Sequence, residues 1–393
     1  MADQYNTTTT TSWFSRIKSA LVGIIIGPIC IIGAVILLSI NEWKSVRTAT
    51  GLTEGSKIVV STTSSPIEAT SEGKLIHTSG KATTDEILRD TTFGIDVPAI
   101  KLVRNVEMYQ WKEKSESHSE DNYGGSSTTT TTYTYTKDWS KQKQDSSRFN
   151  DPVSHQNPTP WAYEGSEQSA SLVKVGDIRL SNIFVSQILA DSRVPLADKT
   201  LSLSGKNITL LRDTLYTGKN PNTPEIGDLR ITFLTANPQD VSVVGKLENG
   251  VLTSYITKNN TDIALLDAGI VWTGEMFQKA QDENMLWTWI FRVLWLIIMY
   301  IGFSLIFQII VILAKVIPPL ATLIGWWTGT IAFVLTLILG GLTIAIAWFV
   351  ARPLVSALIL LIVGGIIFFI WQKKKTPILT TEPATPDTAP PQI

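Results

Sequence analysis

Cysteine is nearly absent. The chain has 393 residues and one cysteine, Cys30, which lies inside an apolar run. One thiol excludes an intrachain disulfide framework and a cysteine-based zinc site. Histidine is almost as scarce: His77, His118 and His155 stand far apart, so a histidine metal site would need their chance convergence. Charge is thin as well. Charged residues make up 17% of the chain, against about 25% in soluble domains. The net charge is −1, so no overall field favours nucleic acid, and no nucleic-acid partner is expected. No G-x-S-x-G, H-E-x-x-H, G-x-G-x-x-G or P-loop string occurs. The usual sequence marks of hydrolases, zinc proteases and nucleotide enzymes are therefore missing. No catalytic residue, cofactor or metal is assigned, and the chain is expected not to be an enzyme.

What is abundant is apolar sequence, unevenly spread. Hydrophobic residues make up 44% and crowd into 19–40 and 286–371. Residues 20–40 carry no charge and are long enough to cross a bilayer. A signal peptide would have a shorter apolar region and a small-residue cleavage site. Here Asn-Glu-Trp-Lys follows instead, so an anchor is expected. Three more spans are expected, near 287–313, within 320–350 and over 354–371. Trp13, Trp43, Trp287, Trp289, Trp326, Trp327, Trp348 and Trp371 mark their ends as an aromatic belt. Arg292 sits one or two turns inside the second span and is expected to snorkel to the interface. Four spans place both termini on one side. Arg16, Lys18, Lys315 and Lys373 to Lys375 make that side cytoplasmic, against Arg352 on the other.

The expectation is thus a multi-pass α-helical membrane protein with four transmembrane helices and a large α+β, mainly antiparallel-sheet extracytoplasmic domain. The domain would occupy 41–284, with disordered cytoplasmic ends at 1–18 and 372–393. Within it, 73–83 and 99–114 look like strands, and 128–140 is rich in β-branched residues, so the last two suggest a long hairpin. Asn249-Gly250 between two apolar runs predicts a type I′ turn. A helix is expected over 182–190 with Ser181 as N-cap, and another from about Thr273 into the second span.

Association signals are small residues four apart. Gly23 and Gly27 lie in the first span, Gly325 and Gly329 in the third, and Gly341 and Ala345 follow. Such spacing lets helix backbones approach closely. It also occurs by chance in glycine-rich helices.

Several strings resemble the transmembrane protein 43 (LUMA) family. They are RTATGLTEGSKIVVS (47–61), GKLIHTSG (73–80), VPAIKLVRNVEMYQW (97–111), SHQNP (154–158), NPNTPEIGDLRITF (220–233) and AWFVARPL (347–354). The order of one span, a large domain and three spans agrees with it. The resemblance implies self-association, membrane-protein partners and no established catalytic residues. In eukaryotic members it implies the endoplasmic reticulum or inner nuclear membrane. The Thr-run loop and Thr/Pro-rich tail depart from the animal pattern, which favours a bacterial plasma (inner) membrane. Within the shared strings, Glu107, Tyr109 and Trp111 share one strand face, and Gly227, Asp228 and Arg230 form a turn into a strand. All six are expected to build the sheet, with Asp228 and Arg230 as a pair. The functional expectation is a non-enzymatic membrane scaffold that self-associates among membrane lipids. The alternative is a membrane sensor or lipid-binding protein that uses its extracytoplasmic domain.

Overall fold

The computed structural model describes residues 3–197, 199, 201, 207–349 and 353–374. Arg352, the tail from 375 and the side chains of Trp371, Lys373 and Lys374 lie outside the described residues.

Helix α1 spans Trp13–Ile58, 46 residues without a break, with Pro28 inside it. Ser12 caps it by accepting from the Ser15 N–H. At a rise of about 1.5 Å per residue it is about 69 Å long, more than twice the hydrocarbon thickness. The short helix α2 covers Asn182–Val185. Helices α3 (Thr273–Ala314), α4 (Pro318–Trp348) and α5 (Pro353–Lys374) complete the set. Among the described residues α1, α3 and α4 are long and apolar enough to cross a membrane. In α5 the apolar stretch is shorter, Ala357–Phe369.

The segment between α1 and α3, joined by one strand that precedes α1, forms two large sheets. One has eight strands, running from Asp3–Thr11 through Ser127–Ser140, Lys101–Asp121, Leu229–Ala236 and Thr214–Thr217 to Ile208–Leu211, with two short strands attached. The other has seven and is centred on Gln239–Glu248 and Leu75–Thr83. Their inner faces share one core, with Leu102, Met108 and Phe233 from the first sheet and Ile76, Val175 and Leu247 from the second. The second sheet also packs outwards. Leu75 and Val244 meet Leu52 of α1 and Met276 and Phe277 of α3 in a separate cluster. A strand covered on both faces reads as a continuous apolar run rather than an alternation. That accounts for VSVVG at 241–245, where every residue is buried.

Most expected elements are present. Asn249 and Gly250 both have positive φ, 53° and 72°, as a type I′ turn requires. The hairpin of Lys101–Asp121 with Ser127–Ser140 is longer than expected, because SESHSED continues the ladder to Asp121 opposite Ser127. Two expectations fail. Helix 182–190 stops at Val185, and Ser181 makes no capping bond through its side chain. The N-terminal segment expected to be disordered over 1–18 is ordered from Asp3, its first described residue: Asp3–Thr11 is a strand, paired from Asp3 opposite Tyr135 to Thr11 opposite Ser127. Threonine is β-branched and suits a strand when a partner ladder is available. Here the partner is equally threonine-rich.

The tip of this three-stranded arm closes on the ends of α1 and α3 that point away from the two-sheet body. Asp121 meets Arg16 at 2.8 Å and Lys315 at 2.9 Å. The Trp13 indole donates to the Ile312 carbonyl at 3.0 Å, and Arg16 donates to the Gly125 carbonyl at 2.9 Å. Burial opposes ionisation of Asp121, but hydrogen bonds from Lys315 and Arg16 outweigh it and hold the carboxyl below its ordinary value. Such a depressed carboxyl stabilises the clasp above its unfolded pKa, and that stability is lost as pH falls through the folded value. The arm exposes Lys114, Glu116, His118 and Glu120 to solvent as the surface pairs Lys114–Glu116 and His118–Glu120, and such a charged surface is costly to place against hydrocarbon. The clasp and a bilayer around residues 20–40 therefore exclude each other. Spin labels at Phe14→Cys and Tyr123→Cys, in a Cys30→Ser background, are expected to lie close in detergent at neutral pH. They should separate in liposomes, and in detergent once pH falls well below the ordinary carboxylate value of about 3.9. A short distance kept in liposomes would show that α1 does not cross the bilayer.

Candidate functional site

The strings singled out in the sequence converge on two places. The first is a knot on the eight-stranded sheet. The Tyr109 N–H donates to the Asp228 carbonyl, and the Gly227 N–H donates to the Tyr109 carbonyl, both at 2.9 Å. Gly227 has φ +101°, and a Cβ there would lie 2.9 Å from Pro158 Cγ, so glycine is required twice over. Asn157 clamps Trp111, two residues along: its Oδ1 accepts from the Trp111 N–H at 2.8 Å and its Nδ2 donates to the Trp111 carbonyl at 3.0 Å. His155 stacks on Tyr135 at 3.7 Å and meets the Trp111 ring edge-on at 4.7 Å. The VEMYQW, SHQNP and PEIGDLR strings thus form one contact.

The face alternation holds. Leu102, Val106, Met108 and Gln110 point into the core, while Glu107, Tyr109 and Trp111 are half-buried on the other face. Gln110 can be buried because its amide is fully used. It donates to the Gln142 carbonyl at 2.7 Å and accepts from the Gln144 N–H at 3.0 Å. Glu107 lies opposite Arg230 in the ladder, and the Tyr109 ring packs on Trp139 at 5.3 Å rather than on a carboxylate. Asp228 and Arg230 do not pair with each other. Asp228 accepts from the Tyr216 hydroxyl and from the Glu225 N–H, whereas the Arg230 guanidinium lies 4.0 Å over the Trp139 ring. Successive positions two apart share a strand face only once the ladder has begun, and it begins at Leu229. Burial and the Glu113 carboxylate push the Tyr135 phenol up to about 12. It therefore stays protonated and donates to Glu113 at 2.7 Å. These groups are bonded to one another in a way that fixes structure.

The second place is the antiparallel seam of α1 and α3. At its far end a Cβ on Gly23 would lie 3.1 Å from the Leu305 carbonyl, and one on Gly27 would lie 2.6 Å from the Gly302 carbonyl. At its near end Gly51 faces Thr261 at 2.5 Å and Gly55 faces Ile263 at 2.3 Å by the same measure. These last two explain the RTATGLTEG string, and the sequence analysis missed them. Their four-residue spacing was visible, but it lies in a polar stretch outside the apolar run. Between the two ends the seam is first apolar, around Ala34, Leu38 and Met299, and then polar. Asn284 Nδ2 donates to the Ser45 carbonyl at 3.1 Å, and Gln281 Nε2 donates to the Ala49 carbonyl at 2.9 Å.

At the centre lies a buried ion pair. Arg292 donates from Nε and Nη2 to the two carboxylate oxygens of Glu42 at 2.8 and 2.7 Å. The Trp348 indole of α4 donates to the same carboxylate at 2.6 Å. The guanidinium sits 4.3 Å from the Trp289 ring centre and 5.4 Å from that of Trp348. Glu42 is 0% exposed and Arg292 6%. Arg292 does not snorkel; a carboxylate one turn beyond the first apolar run meets it inside. One partner of a buried pair cannot be removed without stranding the other. Arg292→Met is therefore expected to cost about 3–5 kcal/mol, measured by unfolding in detergent. The double variant Glu42→Gln/Arg292→Met should lose clearly less. Equal losses would mean that the pairing contributes nothing beyond packing.

The small residues of the later spans divide. A Cβ on Gly341 would lie 3.0 Å from Val363 of α5, and Ala345 is fully buried. Gly325 and Gly329 are open: their nearest neighbours, Val311 and the Tyr300 hydroxyl, would stand 3.7 and 3.5 Å from an added Cβ. They floor two adjoining cavities of about 610 and 410 Å³ between α3 and α4, walled by Tyr300, Trp326 and Phe333 on one side and by Leu305 and Phe307 on the other. Among the described residues no group of three or more His, Cys, Asp or Glu side chains is placed to hold a metal.

Comparison with known proteins agrees with this layout. The family model described as Transmembrane protein 43 matches residues 108–353. Transmembrane protein 43 of Mus musculus is 31% identical over 360 residues, covering 88% of this chain and 89% of its own. The Homo sapiens protein of the same name is 29% identical over 362 residues, with the same coverage. The Drosophila melanogaster Transmembrane protein 43 homolog is 30% identical over 341 residues, covering 84% and 89%. No solved structure matches. With apolar helices of spanning length, a two-sheet body and this extent of match, the chain belongs to the transmembrane protein 43 family of membrane proteins.

Proposed function

We propose that the protein is a non-enzymatic membrane scaffold that self-associates and holds membrane-protein partners. The observation that carries this is the division of its small-residue pairs. Gly23 and Gly27 are filled by α3, and Gly341 by α5, so these positions are consumed inside the chain. Gly325 and Gly329 floor an open apolar groove between α3 and α4. At membrane depth, helices associate by close backbone packing over small residues. A second copy of α4 is the occupant that this spacing fits. The seam of α1 and α3 adds the second property of a scaffold. It runs unbroken from the apolar bundle into the sheets, so a partner bound to the body is held in a fixed pose relative to the helices.

The alternative is a sensor or lipid-binding protein that uses its extracytoplasmic domain. The apolar cavities described above lie between α3 and α4 rather than between the sheets, so they add nothing to that version. Four spans, with α5 as the fourth, and cytoplasmic termini belong to the proposal. For location, the Thr-run arm and Thr/Pro tail support a bacterial plasma (inner) membrane. The alternative, which the family resemblance implies for eukaryotic members, is the endoplasmic reticulum or inner nuclear membrane.

The deciding measurement is the mass of the gently solubilised protein. The wild type is expected to be a homo-oligomer, and Gly325→Leu/Gly329→Leu a monomer with unchanged helix content. A monomeric wild type, or an oligomer unaffected by both substitutions, would remove the scaffold reading as stated here.

A further inference from the structure

Arg292 has donors that the ion pair does not use. A guanidinium carries five N–H groups. Glu42 binds through Nε and Nη2, and Nη1 makes no hydrogen bond among the described residues. The side chain is 6% exposed, and it lines a cavity of about 250 Å³ with Ser45, Ala49, Thr288, Trp289 and Trp348. Nη1 is not one of the enclosed polar atoms left without a partner, so its edge opens on the cavity. An acceptor that enters can reach this edge, and an anionic oxygen makes the strongest bond with a guanidinium.

Two further observations say which kind. The cavity lies where the apolar runs end, beside the exposed indoles of Trp43, Trp287 and Trp289, which is headgroup depth in a bilayer. Its outer end is acidic. Asp282 lines it, and the adjoining cavity shares Asp282 and adds Glu275, Glu283 and Asp267. Lys279 there is already paired with Asp267. Glu42 balances the Arg292 charge, so the inner end offers the Nη1 edge as a donor while the outer end offers carboxylates.

We propose that this cavity seats the headgroup of a zwitterionic membrane phospholipid, its phosphate on Nη1 of Arg292 and its cationic group towards the acidic rim. The Trp289 and Trp348 rings hold the guanidinium in place before the lipid arrives. Preorganisation of this sort lowers the ordering cost of binding. The site is separate from the α4 groove, so it stands or falls independently of self-association.

The test uses the full chain in a maltoside detergent, with isothermal titration of dihexanoyl phosphatidylcholine, dihexanoyl phosphatidylglycerol and inorganic phosphate. Saturable binding of the phosphatidylcholine is expected, with phosphatidylglycerol weaker and inorganic phosphate silent at the same concentration. Ala49→Leu fills the cavity without touching the ion pair, and Arg292→Lys keeps the charge but removes the Nη1 edge. Each is expected to weaken binding at least tenfold while the melting temperature of the Ala49→Leu protein stays that of the wild type. Absence of saturable binding to the wild type, or binding unchanged in the folded Ala49→Leu protein, would overturn the site. Inorganic phosphate binding as well as the lipid would overturn the lipid assignment. Phosphatidylglycerol binding as tightly as phosphatidylcholine would overturn the role of the acidic rim.

Discussion

The close antiparallel approach of α1 and α3 is the constraint on which the rest of the molecule depends. It is set at one end by Gly23 and Gly27 against Leu305 and Gly302 of α3, and at the other by Gly55, where an added Cβ would lie 3.1 Å from Phe277 of α3, with Gly51 and Gly55 also abutting Thr261 and Ile263 of the sheet region. Backbones this close leave no room for a slip in register. A shift of one residue would turn each glycine about 100° away from its contact and drive a side chain into the partner. The fixed register is what places Glu42 opposite Arg292 and Ser45 opposite Thr288. A buried charge costs several kcal/mol unless its partner is held in good geometry. The glycines supply that geometry, and the ion pair in turn penalises any other alignment.

The sheets inherit their position from the same seam. The middle strands of the seven-stranded sheet are buried on both faces, by the eight-stranded sheet on one and by the upper turns of α1 and α3 on the other. Ser242 sits in that layer at 0% exposure because its hydroxyl is satisfied by Ser79, Gly269 and Val271. The Val271 bond fixes the connection into α3, so the last sheet residues and the first helical turn form one joint. His77 reaches the same joint through the Val271 carbonyl at 3.1 Å. Burial lowers its pKa, which keeps the ring neutral, with its other nitrogen 3.4 Å from the Ser61 hydroxyl.

How much of this was legible in the sequence follows from range. Periodicity is local, so the long strands, the Asn249-Gly250 turn and the helix from Thr273 could be read directly. Glu42 could not be matched to Arg292, because 250 positions separate them and the carboxylate lies just past the apolar run, where it resembles an ordinary flank. Gly51 and Gly55 were overlooked for a related reason: a small-residue spacing was sought only where the sequence is apolar. The threonine strand at 3–11 fails differently. Low complexity and no apolar content look like disorder in isolation, and the strand exists only because residues 127–135 offer an equally threonine-rich edge. The sheet knot was half legible. The strings were visible and their alternation was correct, but hydrogen-bond partners such as Asn157 with Trp111 are set by tertiary contact alone.

The shared strings therefore mark joints, and this bears on what kind of protein the family is. In an enzyme, the residues that must keep their identity converge on a cleft, where titratable groups face open space. Here they converge on contacts with no space between them. Gly227 touches Pro158, Asn157 embraces the Trp111 backbone, Gly51 and Gly55 abut a strand, and Trp348 caps a buried carboxylate. Substitution at any of them would change how one element sits on another before it changed any chemistry. These residues fix how the elements they join sit on one another. The open features that remain, the Gly325 groove and the Arg292 cavity, both face the membrane side of that frame.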